Sequence, residues 1–153
     1  MKILIVSSSD IDGGANKAAY RLHRQLLSYS LDSQMLVQNK VSDDYTVIGP
    51  ISSIRRYLIN PLRPALDRVI MIIKGIKPLF STSYLPFSEI ISQINSINPD
   101  VVHFHWVAGG MMRIEDIAKI RAPIVWNCQD MWPFTGGCHF SGDCNAYVDS
   151  CGN

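Results

Sequence analysis

The stretch Asp100-Val-Val-His-Phe-His-Trp106 constrains the fold more than any other part of the chain. It reads as a short apolar strand that ends in two histidines and a tryptophan. In a parallel sheet covered by helices, strand interiors are buried and ligands bind in the crevice outside the strands' carboxyl ends. His105 and Trp106 stand at such an end. His103 and His105 are two residues apart, so a strand turns both to the same face. Gly109-Gly110 follows before a helical pattern resumes. The spacing fits a site, and the competing reading for each histidine is a structural role satisfied by backbone groups.

The surrounding pattern alternates strand and helix. Lys2 to Ser7 predicts a first buried strand, and Asp10-Ile-Asp-Gly-Gly-Ala-Asn16 the turn that opens a helix, with Asp12 or Gly13 as its N-cap. Ala15, Ala18, Ala19, Leu22, Leu26 and Leu27 then recur at helical spacing and predict the buried face. Further strands are expected at Ser33 to Gln38, Thr46 to Ile48 and Pro123 to Trp126, the last buried. Further helices are expected at Phe87 to Ile97 and Met111 to Ile120. This alternation, with turns of a few residues, predicts an α/β fold with a Rossmann-like doubly wound parallel sheet, in one domain covering 1–153. A helix N-terminus with bare glycine amides is an anion site, so Gly13 and Gly14 are candidates for phosphate contact. Their spacing is not the dinucleotide fingerprint, and packing alone is the other reading.

Charge and hydropathy exclude several partners. Fourteen basic and thirteen acidic residues leave a net charge of +1, too little global field to attract nucleic acid. The apolar run Ile3 to Val6 is too short for a signal-peptide core, so the cytoplasm is the expected location. Val69 to Ile73 is closed by Arg68 and Lys74 and cannot span a bilayer of about 30 Å. Residues 51–77 nevertheless combine Arg55, Arg56, Arg63, Arg68, Lys74 and Lys77 with Ile, Leu, Val and Met, and Asp67 is the only acidic residue among them. Such a segment can lie in an anionic inner-membrane surface, or it can be a pair of ordinary helices with solvated arginines. Pro61 and Pro64 are expected to kink or split it.

The final stretch, from Asp130, has no clear period but carries aromatics, glycines and three cysteines. Loops of this length in a compact domain are usually functional. Cys138, Cys144 and Cys151, with His139 or a residue beyond the sequence as fourth ligand, offer a sulfur and nitrogen set suited to structural zinc. The spacings are not those of a zinc ribbon, and free thiols and disulfides stay open as readings.

Four motifs then point to a family. Asp12-Gly-Gly-Ala-Asn-Lys-Ala-Ala-Tyr-Arg-Leu-His23, Asn98-Pro-Asp-Val-Val-His-Phe-His-Trp106, Ile114-Glu-Asp-Ile-Ala-Lys-Ile120 and Trp126-Asn-Cys-Gln-Asp-Met-Trp-Pro-Phe-Thr-Gly-Gly-Cys-His-Phe-Ser-Gly-Asp-Cys144 resemble the N-terminal half of bacterial family 4 glycosyltransferases. The resemblance covers nearly the whole chain and is weakest from Val41 to Leu85. It implies the GT-B architecture, with the present chain on the acceptor side and a C-terminal donor-binding domain lying outside it. It also implies transfer from a nucleotide sugar with retention and without a catalytic metal, often in making lipopolysaccharide, capsule or exopolysaccharide.

By the same resemblance, Gly13 and Gly14 lie on the donor-phosphate side, and His105 and Asp130 are catalytic candidates. Gln129 replaces the histidine that precedes this aspartate in many relatives. Trp106 and Trp132 are candidates for packing on a sugar ring. The expected partners are a nucleotide-sugar donor, held through the other domain, and a glycan or lipid-linked acceptor. The 153 residues alone are expected to be inactive, because the paired glutamates that hold the donor belong to the C-terminal half. A membrane-associated accessory module working with a separate donor-binding chain is the alternative, and the missing dinucleotide fingerprint disfavours a plain Rossmann redox enzyme.

Overall fold

A computed structural model describes residues 1–73, 80–149 and 151 of the chain. Five parallel strands, β1 (Lys2–Ser9), β2 (Asp32–Asn39), β3 (Val47–Ile48), β4 (Val101–Phe104) and β5 (Ile124–Trp126), form one sheet in the order β3-β2-β1-β4-β5. The fold is therefore α/β and Rossmann-like. The order reverses between β1 and β4, which pair from Ile3 opposite Val101 to Val6 opposite Phe104. A crevice opens beyond the carboxyl ends of strands at such a reversal, and ligands of open α/β sheets bind there.

Strand alternation feeds two cores. Ile3, Ile5, Met35 and Val37 face helix α1 (Gly14–Ser28), whose Ala19, Leu22 and Leu26 close that side. Leu4, Val6, Leu36, Val102 and Phe104 face the opposite side, where α3 (Ile90–Ile97) brings Ile90, Ile91 and Ile94. With helices on both faces, the sheet is buried through its centre, as parallel strands require.

Helix α1 departs from the expected apolar face. Ala18 is exposed, and the buried positions are Asn16, Ala19 and His23. His23 is fully enclosed because Ser33 and Thr46 take its two ring nitrogens, at 2.8 Å each. Burial lowers its pKa, so the ring is neutral. A count of apolar residues misses a buried histidine whose partners lie on other elements.

Three further differences have local causes. The expected helix from Met111 shortens to α4 (Ile114–Ile117), because Gly109 and Gly110 turn at positive φ and Arg113 is extended. Met111 and Met112 therefore enter the core from a turn. Strand β5 lies at the sheet edge, and Ile124 and Val125 are exposed rather than buried. Pro61 and Pro64 do not split the 51–73 segment. A π-helical turn, Arg55–Ile59, runs directly into α2 (Asn60–Ile73), with the Asn60 N–H donating to the Arg55 carbonyl. Pro64 leaves the Asn60 carbonyl without its helical donor, and Gln38 Nε2 supplies one at 3.2 Å. Lys74 and Lys77 lie outside the described residues.

Candidate functional site

The crevice is built from the segments that leave β1 and β4. The Ser8 N–H donates to the Trp106 carbonyl at 2.8 Å and holds the two exits together. Beyond β1, Gly13 has φ +84° and caps α1, a conformation that a side chain would strain. Ser7 Oγ donates to Asn16 Oδ1 at 2.5 Å, and Asn16 Nδ2 donates to the Asp12 carbonyl at 2.5 Å, which fixes the loop. The first amides of α1 thus border a cavity of about 390 Å³, whose lining includes Gly13, Gly14, Asn16, Arg68, Trp106 and Gly109.

A second cavity, about 310 Å³, shares Pro64, Arg68, Trp106 and Gly109 with the first and extends to Ser81, Asp130 and His139. The two are compartments of one cleft, with Trp106 and Arg68 at their junction. Volumes of this order are those of small-molecule sites.

His105 lies at the end of β4 and is buried, its ring 4.7 Å from that of His103. Burial, with a smaller contribution from His103, lowers its pKa to about 4. The ring is therefore neutral at physiological pH. Gln129 Nε2 lies 3.4 Å from both the Ala15 carbonyl and His105 Nδ1. An amide nitrogen only donates, so Nδ1 accepts and the proton resides on Nε2. Nε2 is buried and has no hydrogen-bond partner. Gln129 thus fixes the tautomer of His105 and ties it to the first turn of α1.

Asp130 organises the other compartment. Its Oδ2 accepts from Trp106 Nε1 at 2.9 Å and from His139 Nδ1 at 2.6 Å, and its Oδ1 accepts from the Trp132 N–H at 3.0 Å. His139 stacks on Trp106 with ring centroids 5.5 Å apart, and its Nε2 meets Ser81 Oγ at 2.8 Å. A carboxylate only accepts, so Nδ1 is protonated, and in the neutral ring the Ser81 hydroxyl donates to Nε2. Ser81, His139 and Asp130 form a continuous relay along the cleft wall. Such a relay can hold a hydroxyl group or accept its proton.

Phe80 and Cys138 pair as an antiparallel bridge, and the Ser81 N–H donates to the Gly137 carbonyl at 2.9 Å. The segment after Asp130 is thereby folded back onto residues 80–81. Trp132 is buried in the core, packed on Trp126, with Nε1 donating to the Ser81 carbonyl at 3.0 Å. Of the two tryptophans singled out in the sequence, Trp106 lines the cleft and Trp132 supports its wall. Ser81, Asn16 and Arg68 were not singled out as site residues. Ser81 stands in a loop with no motif, and its role depends on a contact 58 residues away.

All four cysteines are free. Cys138 is half-buried, and its thiol pKa is raised by burial and then by Cys151 and Cys144 nearby. Cys144 and Cys151 are exposed. Both ring nitrogens of His139 are engaged by Asp130 and Ser81. Among the described residues no group of three or more His, Cys, Asp or Glu is placed to hold a metal ion. No family model, curated protein or solved structure matches the chain.

Proposed function

We propose that this chain is the acceptor-side domain of a retaining, nucleotide-sugar-dependent glycosyltransferase of the GT-B type, acting in bacterial surface polysaccharide synthesis. The observation that carries the reading is the cleft at the sheet's reversal point. There the glycine-capped start of α1, the Arg68 cation and the Trp106 ring converge on one space, and neutral His105 lies buried behind it at the end of β4. The motif resemblance supplies the family, and the chemistry of the cleft supports it.

In this reading a pyrophosphate leaving group gathers charge as the glycosidic bond to it breaks. The first amides of α1 and Arg68 oppose that charge. His105 is neutral, so in this reading it is a hydrogen-bond donor through Nε2 and not an imidazolium acid, and reaching a sugar hydroxyl requires that this buried atom be uncovered. Trp106 offers a ring face to a saccharide, and its indole is held by Asp130. The Ser81–His139–Asp130 relay lines the compartment that an acceptor hydroxyl would enter. In the GT-B pair the donor itself is held by the second domain.

Ligand-observed NMR on the chain tests the reading, using lipid-linked saccharides and nucleoside diphosphate sugars as probes. Saccharide contacts that vanish in Trp106→Ala and weaken in Asp130→Asn are expected. Saccharide binding unchanged by either substitution, or none at all, would overturn the assignment of the cleft as an acceptor site.

A further inference from the structure

A helix packed on a soluble protein turns its apolar side chains inward and its charges to water. The segment running from the π-helical turn through α2 does the reverse. Its inward residues are Asn60, Arg63 and Asp67, spaced three and four apart and all buried. Asn60 Nδ2 donates to the Gln38 carbonyl at 2.9 Å. The Arg63 guanidinium donates to the carbonyls of Gly110, Pro86 and Leu85 at 2.6 to 2.9 Å. Asp67 Oδ1 accepts from Thr82 Oγ1 at 2.6 Å and from the Ser83 N–H at 3.0 Å.

The outward residues are apolar. Ile54, Leu58, Leu62, Leu66, Val69 and Ile72 recur in steps of three and four and are between 45% and 77% exposed. Beside them an apolar groove of about 370 Å³ is walled by Ile59, Leu62, Leu66, Leu85 and Phe87, with Arg55 and Arg63 also in its wall. Phe87 itself is 84% exposed. So large a continuous apolar surface marks an interaction site.

Charge decides what covers it. Arg56 is exposed on the π-helical turn, Arg55 is half-buried and paired with Glu89 at 2.5 Å, and Arg68, exposed on α2, lines the cleft. Asp67, the one acidic residue from 51 to 73, is buried. The Glu89 carboxylate near Phe87 is neutralised by Arg55, and the face therefore presents apolar side chains beside the exposed Arg56 cation. That pairing complements an anionic bilayer surface, in which acyl chains lie beneath negative headgroups. No helix among the described residues is long and apolar enough to cross a membrane, so the contact is with the surface.

We infer that residues 51–73 and Phe87 seat this protein on an anionic lipid bilayer, with the helix lying in the plane of the interface. The apolar face supplies the anchoring and Arg56 favours anionic headgroups. Arg63, by contrast, is spent on the protein's own carbonyls and is unavailable to headgroups. The inference stands apart from the glycosyltransferase reading, since vesicle binding requires no sugar.

Flotation of the 153-residue chain with vesicles of phosphatidylcholine, with and without phosphatidylglycerol, tests it. Leu58 and Leu62 are exposed, so a Leu58→Asp/Leu62→Asp variant should keep its fold, which circular dichroism checks. Binding to the anionic vesicles is expected, with the partition coefficient falling at least about tenfold in that double variant. Arg56→Gln should reduce the preference for anionic over neutral vesicles while leaving neutral binding unchanged. Unaltered binding in the double variant would overturn the inference. So would absence of vesicle binding, whether or not sedimentation shows a dimer that the double variant dissolves; with that dimer, the face would be an interface between copies.

Discussion

Replacing Asp130 by asparagine tests whether one carboxylate holds the compartment of Trp106 and His139 together. The wild-type group accepts from three donors, two on Oδ2 and one on Oδ1. Asparagine has the same shape but one oxygen. If that oxygen keeps Trp106 and His139, the new NH₂ faces the Trp132 N–H, donor against donor. A buried N–H left unpaired costs about 1 to 3 kcal/mol. The two retained hydrogen bonds also lose the charge that strengthens them, from about 1.5–3 to about 0.5–1.5 kcal/mol each, and partial solvation of the site softens that loss. The side chain is 21% exposed, enough for some solvent replacement but not for full relief. The expected loss is about 2 to 4 kcal/mol, a large share of the roughly 5 to 15 kcal/mol typical of a domain. Urea unfolding monitored by tryptophan fluorescence reads it as a lowered midpoint at unchanged slope. A double-mutant cycle with His139→Gln should show coupling of about 1 kcal/mol, since the two residues share a hydrogen bond. A single-variant loss below about 0.5 kcal/mol, or strict additivity, would refute the view that Asp130 organises the cleft.

Three other outcomes are expected. His105 binds its proton less readily in the folded chain than at its ordinary value of 6.5, so its stability contribution is complete above 6.5. It drains as pH falls toward about 4, with a slope of up to about 1.4 kcal/mol per pH unit. Urea midpoints between pH 7.5 and 4.5 should therefore fall less steeply in His105→Gln; an unchanged profile would refute the burial argument. The slope should not vanish, because His23 and His103 shift the same way through burial, while Asp44 acts in a lower window. Burial raises Asp44, but hydrogen bonds from Thr46 and Tyr20 and nearby Arg24 outweigh it and lower it to about 2. Gly110→Ala should destabilise by about 2 kcal/mol or more, because φ is +73° and the added Cβ would lie 2.8 Å from Leu85 and 3.0 Å from the Arg63 carbonyl; a midpoint within error of wild type would contradict this. Single-cysteine variants titrated with a disulfide reagent should show Cys138 reacting more slowly than Cys128, Cys144 or Cys151, as its raised thiol pKa and partial burial require. Titrating the wild-type chain, with all four cysteines, in the presence and absence of zinc tests the structural zinc expected from the cysteine spacing, which would appear as protection of three of the four thiols.

The sheet was legible because buried parallel strands leave a local signature. Lys2 to Ser7, Ser33 to Gln38 and Val101 to Phe104 all lie in strands of one parallel sheet, with His105 just past the end of the last, and the rings of the two histidines lie side by side. Gly13 was legible too, since a turn into a helix with positive φ leaves little choice of residue. What could not be read were pairings between distant segments. Nothing near Ser81 announces His139, and nothing near Arg63 announces the carbonyls of Leu85, Pro86 and Gly110. The arginines of 51–73 looked alike in sequence, yet one is a buried staple and another lines the cleft. Burial of a charge depends on its partners, and those are fixed only when the chain closes on itself.

The inverted helix and the cleft are linked by the same residues. Residues 81–86 must lie against α2 for Ser81 to reach His139, and the groups that hold them there are the inward Arg63 and Asp67. With polar groups committed to the inner face, the leucines and isoleucines of the helix have only the outer face left. Pro64 and Arg68, on the same helix, line both compartments of the cleft. A chain lying on a bilayer through that outer face would therefore carry its cleft at the level of the headgroups. A saccharide attached to a membrane lipid would meet the compartment of Trp106, Asp130 and His139 without leaving the surface. Weakening the outer face should then raise the concentration of lipid-linked saccharide needed to occupy the cleft on vesicles, while leaving binding of the same saccharide freed from its lipid unchanged. Equal losses for both forms in Leu58→Asp/Leu62→Asp would show that the substitutions had disturbed the cleft itself and would sever the proposed link.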